Sequence, residues 1–386
     1  MKIIAAMDSF KGSLTSLEAG EWVKRGIHRA DADAQVVVCP LADGGEGTVQ
    51  ALTTVCGGRF RRISVTGPLG QPVEAIYGIL KDHTAVMEMA AAAGLTLTEP
   101  AQRNPLHTTT YGVGEMIRDA IGQGCRRLVI GIGGRATNDG GIGMLQALGW
   151  ELQDQEEKAV PYGAAGLEKL VSICGERALP QLQECSFQII CDVVNPLCGP
   201  QGCSAVFGPQ KGADRELIRQ MDQWLMHYAK LAREVCPQAD PDCPGAGAAG
   251  GMGFAFRTFL GGRLEPGIRV VLRETGLEQE IRDADLVITG EGCLDGQTAM
   301  GKAPVGVAEL AKQYRKPVIA LAGCVTEEAA ACHQAGIDAF FPILRRAVTL
   351  EEAMVKEQAG RNLAETAEQV YRLYSTARRQ NQAENS

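Results

Sequence analysis

The feature that most constrains the fold of this chain is a repeated pattern in which a short apolar run stops at an acid or a glycine turn. It occurs in IIAAM-DSFKG, VVVCPLA-DGGEG, LVIGIGGRATN-DGG, FQIIC-DVVNP and LVIT-GEGCLD. Buried strands followed by tight turns are typical of α/β sheets, in which ligands bind beyond the carboxyl ends of the strands. We therefore expect the acids that follow these runs to face one cleft: Asp8, Asp43, Asp139, Asp192 and Glu291. The alternative is that each acid only caps the next helix or turn.

Two β-α-β regions flank a different middle region, which indicates two unlike α/β domains. Residues 60–90 alternate or run apolar at short intervals with turn signals between them, as in an antiparallel meander. The simplest assembly is a doubly wound, mostly parallel domain of the flavodoxin or Rossmann type, built from residues 1–65 and 265–380. Residues 66–264 would be inserted as a mixed α/β domain, with the active-site cleft between the two.

The composition excludes several classes of protein. The chain is 45% hydrophobic and only 5% aromatic, with 47 glycines in 386 residues, which fits an α/β enzyme better than a β-sandwich. A net charge of −8 argues against a nucleic-acid surface. The start does not read as a signal peptide, and no apolar segment approaches the roughly 18 residues of a membrane span. We therefore expect a cytoplasmic protein, monomeric or homodimeric, whose 13 cysteines are reduced thiols without the spacing of a zinc site.

Three glycine-rich stretches, residues 44–47, 131–143 and 245–253, could cradle a phosphate. Glycine lets backbone N–H groups approach an anion, and a following helix adds the positive end of its dipole. The alternative for the third stretch is close packing on small residues. Its G-A-G-A-A-G matches the dinucleotide pattern only weakly, because no strand leads into it. The candidates from these stretches are Gly133, Gly134, Thr137, Asn138, Gly245, Gly247, Gly250 and Gly251.

Two lysines are candidates to neutralise an anion. Lys11 follows the first apolar run by a few residues, where a point charge would meet a phosphate or a carboxylate. Lys302 lies in GQTAMGKA, which resembles a P-loop but has Ala303 in place of the hydroxyl that binds magnesium and starts six residues after the predicted strand end at residue 290. We therefore reject a P-loop NTPase. Lys302 is either a phosphate ligand or a surface charge. No G-x-S-x-G elbow occurs, which excludes the common serine hydrolases.

Nine motifs in order resemble the bacterial glycerate kinase family, of the kind that makes 2-phosphoglycerate. They are DSFKGSL, ADGGEGT, TGPLG, EMAAAAGL, GIGG-ATNDGG, CDVVNPL, FGPQKGA, PGAGAAGGMG and TGEGCLD, and the resemblance runs in order from residue 1 to about residue 375. The resemblance implies ATP- and Mg²⁺-dependent transfer of a phosphoryl group to D-glycerate, and two unlike α/β domains around a cleft. Met7, Arg135, Cys293 and Gly296 depart from the residues usual at these positions.

Phosphoryl transfer depends on positioning and charge neutralisation, which suggests a role for each candidate. The substrate carboxylate needs cations or N–H donors, for which Lys11, Ser9 and Arg135 are the candidates, with Asp8 beside them. The base that accepts the hydroxyl proton is Asp192, with Asp43 as the second candidate. Asp139 or Glu291 would reach Mg²⁺ directly or through water. The glycine stretches and Lys302 would hold the ATP phosphates.

Two other functions remain open at this point. A non-catalytic sensor of a sugar acid could use the same cleft, although a pure binder of an anion gains nothing from five carboxylates. A kinase for a related small hydroxy acid would need the same groups. A nicotinamide dehydrogenase rests on the weak glycine match alone.

Overall fold

The computed structural model describes residues 1–41, 45 and 47–384, with side chains described through residue 380. The strands, in chain order, are β1 (Lys2–Met7), β2 (Gln35–Val38), β3 (Arg59–Thr66), β4 (Pro72–Ile79), β5 (Thr84–Glu88), β6 (Arg127–Gly131), β7 (Glu151–Gln153), β8 (Ser172–Cys174), β9 (Ser186–Ile190), β10 (Arg263–Glu265), β11 (Leu286–Leu294), β12 (Val318–Val325) and β13 (Ala339–Pro342). Valine and isoleucine dominate the buried strands, as β-branched side chains pack well on a pleated surface.

The helices are α1 (Ser16–Ala30), α2 (Thr48–Val55), α3 (Ala90–Ala93), α4 (Tyr111–Gly122), α5 (Ile142–Ala147), α6 (Ala164–Lys169), α7 (Cys203–Phe207), α8 (Arg215–Val235), α9 (Ala248–Leu260), α10 (Gly267–Thr275), α11 (Leu277–Arg282), α12 (Ala303–Gln313), α13 (Leu350–Met354) and α14 (Lys356–Glu384). The T-x-x-E pattern at Thr15 sets the start of α1, where Thr15 and Glu18 form a reciprocal capping box. None of the described helices is both long and apolar enough to cross a membrane.

Residues 1–41 and 268–384 belong to one compact unit built from both ends of the chain. Its sheet has the order β13-β12-β11-β1-β2, and every neighbouring pair is parallel. Counted in chain order, these five strands give the flavodoxin-like order 2-1-3-4-5. The strand order reverses between β1 and β11, which is the point where such sheets bind ligands.

The second compact unit contains the described residues from 45 to 267. Its main sheet has the order β10-β9-β6-β5-β4-β3, in which β3, β4 and β5 are antiparallel and β5, β6, β9 and β10 are parallel. The α/β class, with a parallel sheet from both chain ends and a mixed sheet in the middle, is therefore confirmed. The expected domain boundary at residue 65 falls within β3, which pairs with β4 along its whole length and so belongs to the mixed sheet.

Two elements extend further than their local sequence patterns indicate. The apolar run predicted a strand that ends at residue 290, but β11 continues to Leu294, because Cys293 and Leu294 pair with Cys324 and Val325 of β12. The segment after residue 377 is polar, as in a frayed terminus, yet α14 continues through it to Glu384. The local sequence is a poor strand signal in the first case and a poor helix signal in the second. Pairing with β12 extends β11, and helix propagation extends α14.

Candidate active site

The carboxyl ends of β1 and β11 place two acids next to each other at the switch point of the first sheet. Met7 pairs with Gly290, and the backbone N–H of Asp8 donates to the Gly290 carbonyl at 2.8 Å. Asp8 therefore lies beside Glu291 on the neighbouring strand, and both are buried, with 7% and 8% of their surfaces exposed. Acids from opposite ends of the chain thus meet where open α/β sheets bind ligands.

Glu291 is held by the loop that follows β11. The Thr298 hydroxyl donates to Glu291 Oε1 at 2.6 Å, and its backbone N–H donates to Asp295 at 2.9 Å. Burial raises the pKa of the Glu291 carboxyl above its ordinary value, while the Thr298 hydrogen bond and two lysine charges act in the opposite direction. Those lysines are Lys302 and Lys11. The protein's hydrogen bonds and positive charges do not offset the cost of burying the ionised Glu291 carboxylate. This is typical of groups that bind a cation or exchange a proton.

These residues form what we call the strand-end cluster: Asp8, Lys11, Glu291, Asp295, Thr298 and Lys302. Of the residues predicted for the site, it brings together Asp8, Lys11, Glu291 and Lys302. Sequence reasoning missed Asp295 and Thr298. The only signal for them was their position in the turn after TGEGC.

Ser9 and Lys11 occupy the tight turn after β1. The Ser9 backbone N–H donates to Asp8 Oδ1 at 2.6 Å, so Asp8 also shapes this turn, as the capping alternative proposes. The turn closes where Phe10 donates to the carbonyl of Leu14 at 2.8 Å. Lys11 is exposed on this turn and lies close enough to lower the pKa of Glu291. Its charge therefore lies at the edge of the strand-end cluster.

Lys302 immediately precedes α12, and its ammonium group lies 3.4 Å from Asp295 Oδ1. Because β11 ends at Leu294, the GQTAMGKA segment starts at Gly296, directly beyond Asp295, and not six residues after a strand. The strand, loop and helix of a P-loop are therefore present. Ala303 still stands where a P-loop has a hydroxyl, so the exclusion of a P-loop NTPase rests on that residue alone.

In the second unit, Asp139 is completely buried and serves as a hydrogen-bond acceptor for two helix starts. Its Oδ2 accepts from the backbone N–H and the hydroxyl of Thr110 at 2.9 and 2.8 Å, and its Oδ1 accepts from the Gly141 N–H at 3.1 Å. Burial raises the pKa of Asp139, against these hydrogen bonds and one from the Gly143 backbone. The residue thus joins the start of α4 to the start of α5, as the capping alternative proposes.

The glycine-rich segment at residues 245–253 packs against the segment that contains Asp139. Ala249, Gly250 and Gly251 have left-handed backbone conformations, and the Gly140 N–H donates to the Gly250 carbonyl at 2.9 Å. The predicted cradle glycines of this segment are all buried, and a Cβ on any of them would come within 3.2 Å of another protein atom. They are Gly245, Gly247, Gly250 and Gly251. This geometry favours the packing interpretation.

The other predicted cradle residues lie on the loop after β6. Gly133 is half-buried and Gly134 is exposed, with no protein atom closer than 3.5 Å to a Cβ built on Gly134. Thr137 and Asn138 are completely buried. The open backbone of this loop is therefore confined to residues 133 and 134.

The same loop takes part in what we call the buried cationic cluster: Arg135, Thr137, Asn138, Ser204 and Lys211. Lys211 is completely buried, and its ammonium group donates to Asn138 Oδ1 at 3.2 Å. The Asn138 amide donates to Ser204 Oγ at 2.9 Å. Burial lowers the pKa of Lys211 to about 7, and the positive charge of Arg135 adds to this effect. Burial also lowers the pKa of Arg135. Sequence reasoning missed Lys211, although it lies inside the FGPQKGA motif.

The remaining two candidates are Asp192 and Asp43. Asp192 follows β9, which is parallel to β6 in the same sheet, so it lies at the same edge as the loop after β6. It is exposed, and its Oδ1 accepts from the Gly267 N–H at 2.9 Å. Asp43 lies outside the described residues.

Among the described residues, no group of three or more His, Cys, Asp or Glu side chains could hold a metal ion by itself. A magnesium ion keeps several waters and needs only one or two carboxylates when it also binds phosphates. The under-compensated carboxylate of Glu291 fits that need. Asp139 fits it less well, because both of its oxygens already accept from the protein.

Comparison with known proteins agrees over nearly the whole chain. The model of the glycerate kinase family matches residues 3–375. A glycerate kinase from Haemophilus influenzae is 47% identical over 374 residues, 97% of this chain and 98% of that protein. A glycerate 2-kinase from Escherichia coli is 46% identical, over 95% of this chain and 98% of that protein. A crystal structure from Salmonella typhimurium LT2, whose description names glycerate kinase 2, is 46% identical and has a TM-score of 0.90, covering 98% of this chain and 99% of that one. This chain belongs to the glycerate kinase family.

Proposed function

We propose that this chain transfers the γ-phosphoryl group of ATP to the 2-hydroxyl of D-glycerate, which gives 2-phosphoglycerate. The observation that carries the proposal is the full-length similarity to proteins named glycerate kinase, one of them a glycerate 2-kinase. The strand-end cluster supports it, because it concentrates two buried acids and two lysines at the switch point of a flavodoxin-like sheet.

Magnesium that accompanies ATP would be held by Glu291, directly or through water. When bound, the ion neutralises charge on the phosphates and helps to orient them. Lys11 and Lys302 add positive charge beside Glu291, as phosphate contacts in this class of reaction require. A P-loop binds magnesium through a hydroxyl at the position where this chain has Ala303. In this proposal the Glu291 carboxylate takes the place of that hydroxyl.

The acceptor side of the reaction needs a cationic site for the carboxylate and a base for the hydroxyl. Ser9, Lys11 and Arg135 remain the candidates for the carboxylate, with Asp8 beside Ser9. Asp192 is the candidate base because it is exposed at a strand end, and Asp43 is the second candidate. No covalent intermediate is required, since phosphoryl transfer depends on positioning and charge stabilisation.

One assay tests the proposal against its alternatives. The protein is incubated with ATP, Mg²⁺ and D-glycerate, and the product is identified by phosphorus NMR, which distinguishes 2-phosphoglycerate from 3-phosphoglycerate. Formation of 2-phosphoglycerate supports the proposal. Binding of D-glycerate without turnover would indicate a sensor, and an absorbance change with NAD(P)H would indicate a dehydrogenase. Turnover of a different hydroxy acid with no turnover of D-glycerate would contradict the substrate assignment.

A lysine substitution tests the role of the strand-end cluster. Lys11→Ala should raise KM for D-glycerate or ATP, because it removes a charge beside Glu291. If neither KM changes, Lys11 is only a surface charge.

A further inference from the structure

The buried cationic cluster contains two positive charges with no acid partner among the described residues. Lys211 is completely buried and makes one hydrogen bond, to the neutral oxygen of Asn138. The Nε and Nη2 atoms of Arg135 are buried without a hydrogen-bond partner, and its guanidinium carbon lies 5.0 Å from the centre of the Phe207 ring. Two cations are therefore held close together in a site that offers little compensation.

Asp139 does not neutralise them. Asp139 contributes only a small favourable effect on the charge of Lys211, less than the opposing effects of burial and of Arg135. Both Asp139 oxygens already accept hydrogen bonds from Thr110 and Gly141. An unpaired buried charge costs several kcal/mol in proteins, so the charged arrangement is costly unless Lys211 gives up its proton or an anionic ligand completes the site.

The cluster also provides a third donor and a rigid support. The Thr137 hydroxyl is completely buried and has no hydrogen-bond partner. The Asn138 amide is fixed by Ser204 at one end and by Lys211 at the other, which orients the ammonium group. Gly133 and Gly134, immediately before Arg135, are the accessible part of this loop.

We propose that Arg135, Lys211 and Thr137 bind one small oxyanion, either the carboxylate of the acceptor substrate or a phosphate group, and that Asn138 positions Lys211. A carboxylate or phosphate accepts several charged hydrogen bonds at once, which matches two cations and a hydroxyl. The inference deepens the proposed function and rests on it only for the identity of the anion. Lys211 is then the principal cation of this site, and Gly133 and Gly134 form its accessible edge.

The test compares Lys211→Met with the exposed control Lys230→Met on α8, in the full-length protein. Thermal shift and calorimetry are run separately with D-glycerate, inorganic phosphate and a non-hydrolysable ATP analogue. We expect Lys211→Met to bind at least one of these about 10- to 100-fold more weakly, the size of a lost charged hydrogen bond. We also expect its ligand-free Tm to be equal to or above that of the wild type, because an uncompensated buried charge has been removed. Lys230→Met should match the wild type in both.

The ligand that loses affinity identifies the anion. If Lys211→Met loses affinity for D-glycerate alone, the bound anion is the substrate carboxylate. If it loses affinity for phosphate or the ATP analogue, the bound anion is a phosphate group. Wild-type affinity for all three ligands in Lys211→Met overturns the inference, as does a marked fall in its ligand-free Tm with no change in affinity. If Lys211→Met does not fold, Arg135→Ala and Thr137→Val replace it, and unchanged affinities in both overturn the inference equally.

The outcome is separable from that of the proposed function. A wild-type protein that phosphorylates D-glycerate, with variants that bind every ligand normally, contradicts only the anion site. A wild-type protein that binds these anions through Lys211 without phosphoryl transfer contradicts only the kinase.

Discussion

Gly250→Ala separates the two interpretations of the glycine-rich segment at residues 245–253. Gly250 has φ of +66°, and a Cβ at this position would lie 2.2 Å from the Thr137 carbonyl oxygen and 2.8 Å from Asn138 Cα. Both contacts are with backbone, which cannot rotate away as a side chain can. If the glycine serves packing, the substitution therefore disturbs the loop that carries Arg135 and Asp139.

The expected magnitude has two parts. An alanine in the left-handed region costs roughly 1–2 kcal/mol. Forcing an extra methyl group into a packed interior costs about 1–3 kcal/mol more. We therefore expect Gly250→Ala to lower the free energy of unfolding by about 2–5 kcal/mol.

Gly261→Ala is the matched control. Gly261 ends the same helix, α9, with φ of +62°, but a Cβ there would have no protein atom within 4 Å. It should lose only the conformational part, about 1–2 kcal/mol. Urea denaturation followed by circular dichroism measures both variants, and KM for ATP is measured alongside.

Equal destabilisation in the two variants would refute the packing argument. A Gly250→Ala variant with wild-type stability and a raised KM for ATP would instead restore the phosphate-cradle interpretation of this segment.

Three further substitutions test the acids. Glu291→Gln should lower kcat by about 10²-fold or more, because it removes the carboxylate proposed to hold Mg²⁺ beside the reacting phosphates. Burial raises the pKa of Glu291, so this group's contribution to stability is present below its unfolded pKa and is lost as pH rises through its folded pKa. Glu291→Gln should therefore be more stable than the wild type at pH 7 in chemical denaturation. A variant less stable than the wild type would contradict this. Asp139→Asn should lower the free energy of unfolding by about 2–5 kcal/mol, even in EDTA, because the amide NH2 group cannot accept a hydrogen bond where a carboxyl oxygen accepts from Thr110 or Gly141; unchanged stability would contradict the capping role. Asp192→Asn should lower kcat by about 10²–10⁴-fold with an unchanged unfolding midpoint, since the amide oxygen can still accept from Gly267, and an unchanged kcat would remove Asp192 as the base.

Part of the site could be predicted from sequence because it depends on strand ends. Apolar runs that stop at an acid located Asp8 and Glu291, and the parallel sheet places the carboxyl ends of neighbouring strands at one edge. The same pattern could not separate acids that cap from acids that face a ligand. Asp139 and Glu291 look alike in sequence, yet one is surrounded by N–H donors and the other is not.

Lys211 shows the other limit of sequence reasoning. A lysine between a glutamine and a glycine is most simply interpreted as a surface charge, because lysines are rarely buried. Its burial depends on packing around Asn138, which lies 73 residues earlier in the sequence.

The sequence by itself determined the α/β class, the antiparallel meander, the capping box at Thr15 and the family, since these depend on short periodic patterns and ordered motifs. Only the tertiary structure decided how far β11 extends, which glycines are packed and which are open, and which charges are buried without partners. Those properties depend on atoms brought together from distant parts of the chain, and local patterns carry no information about such contacts.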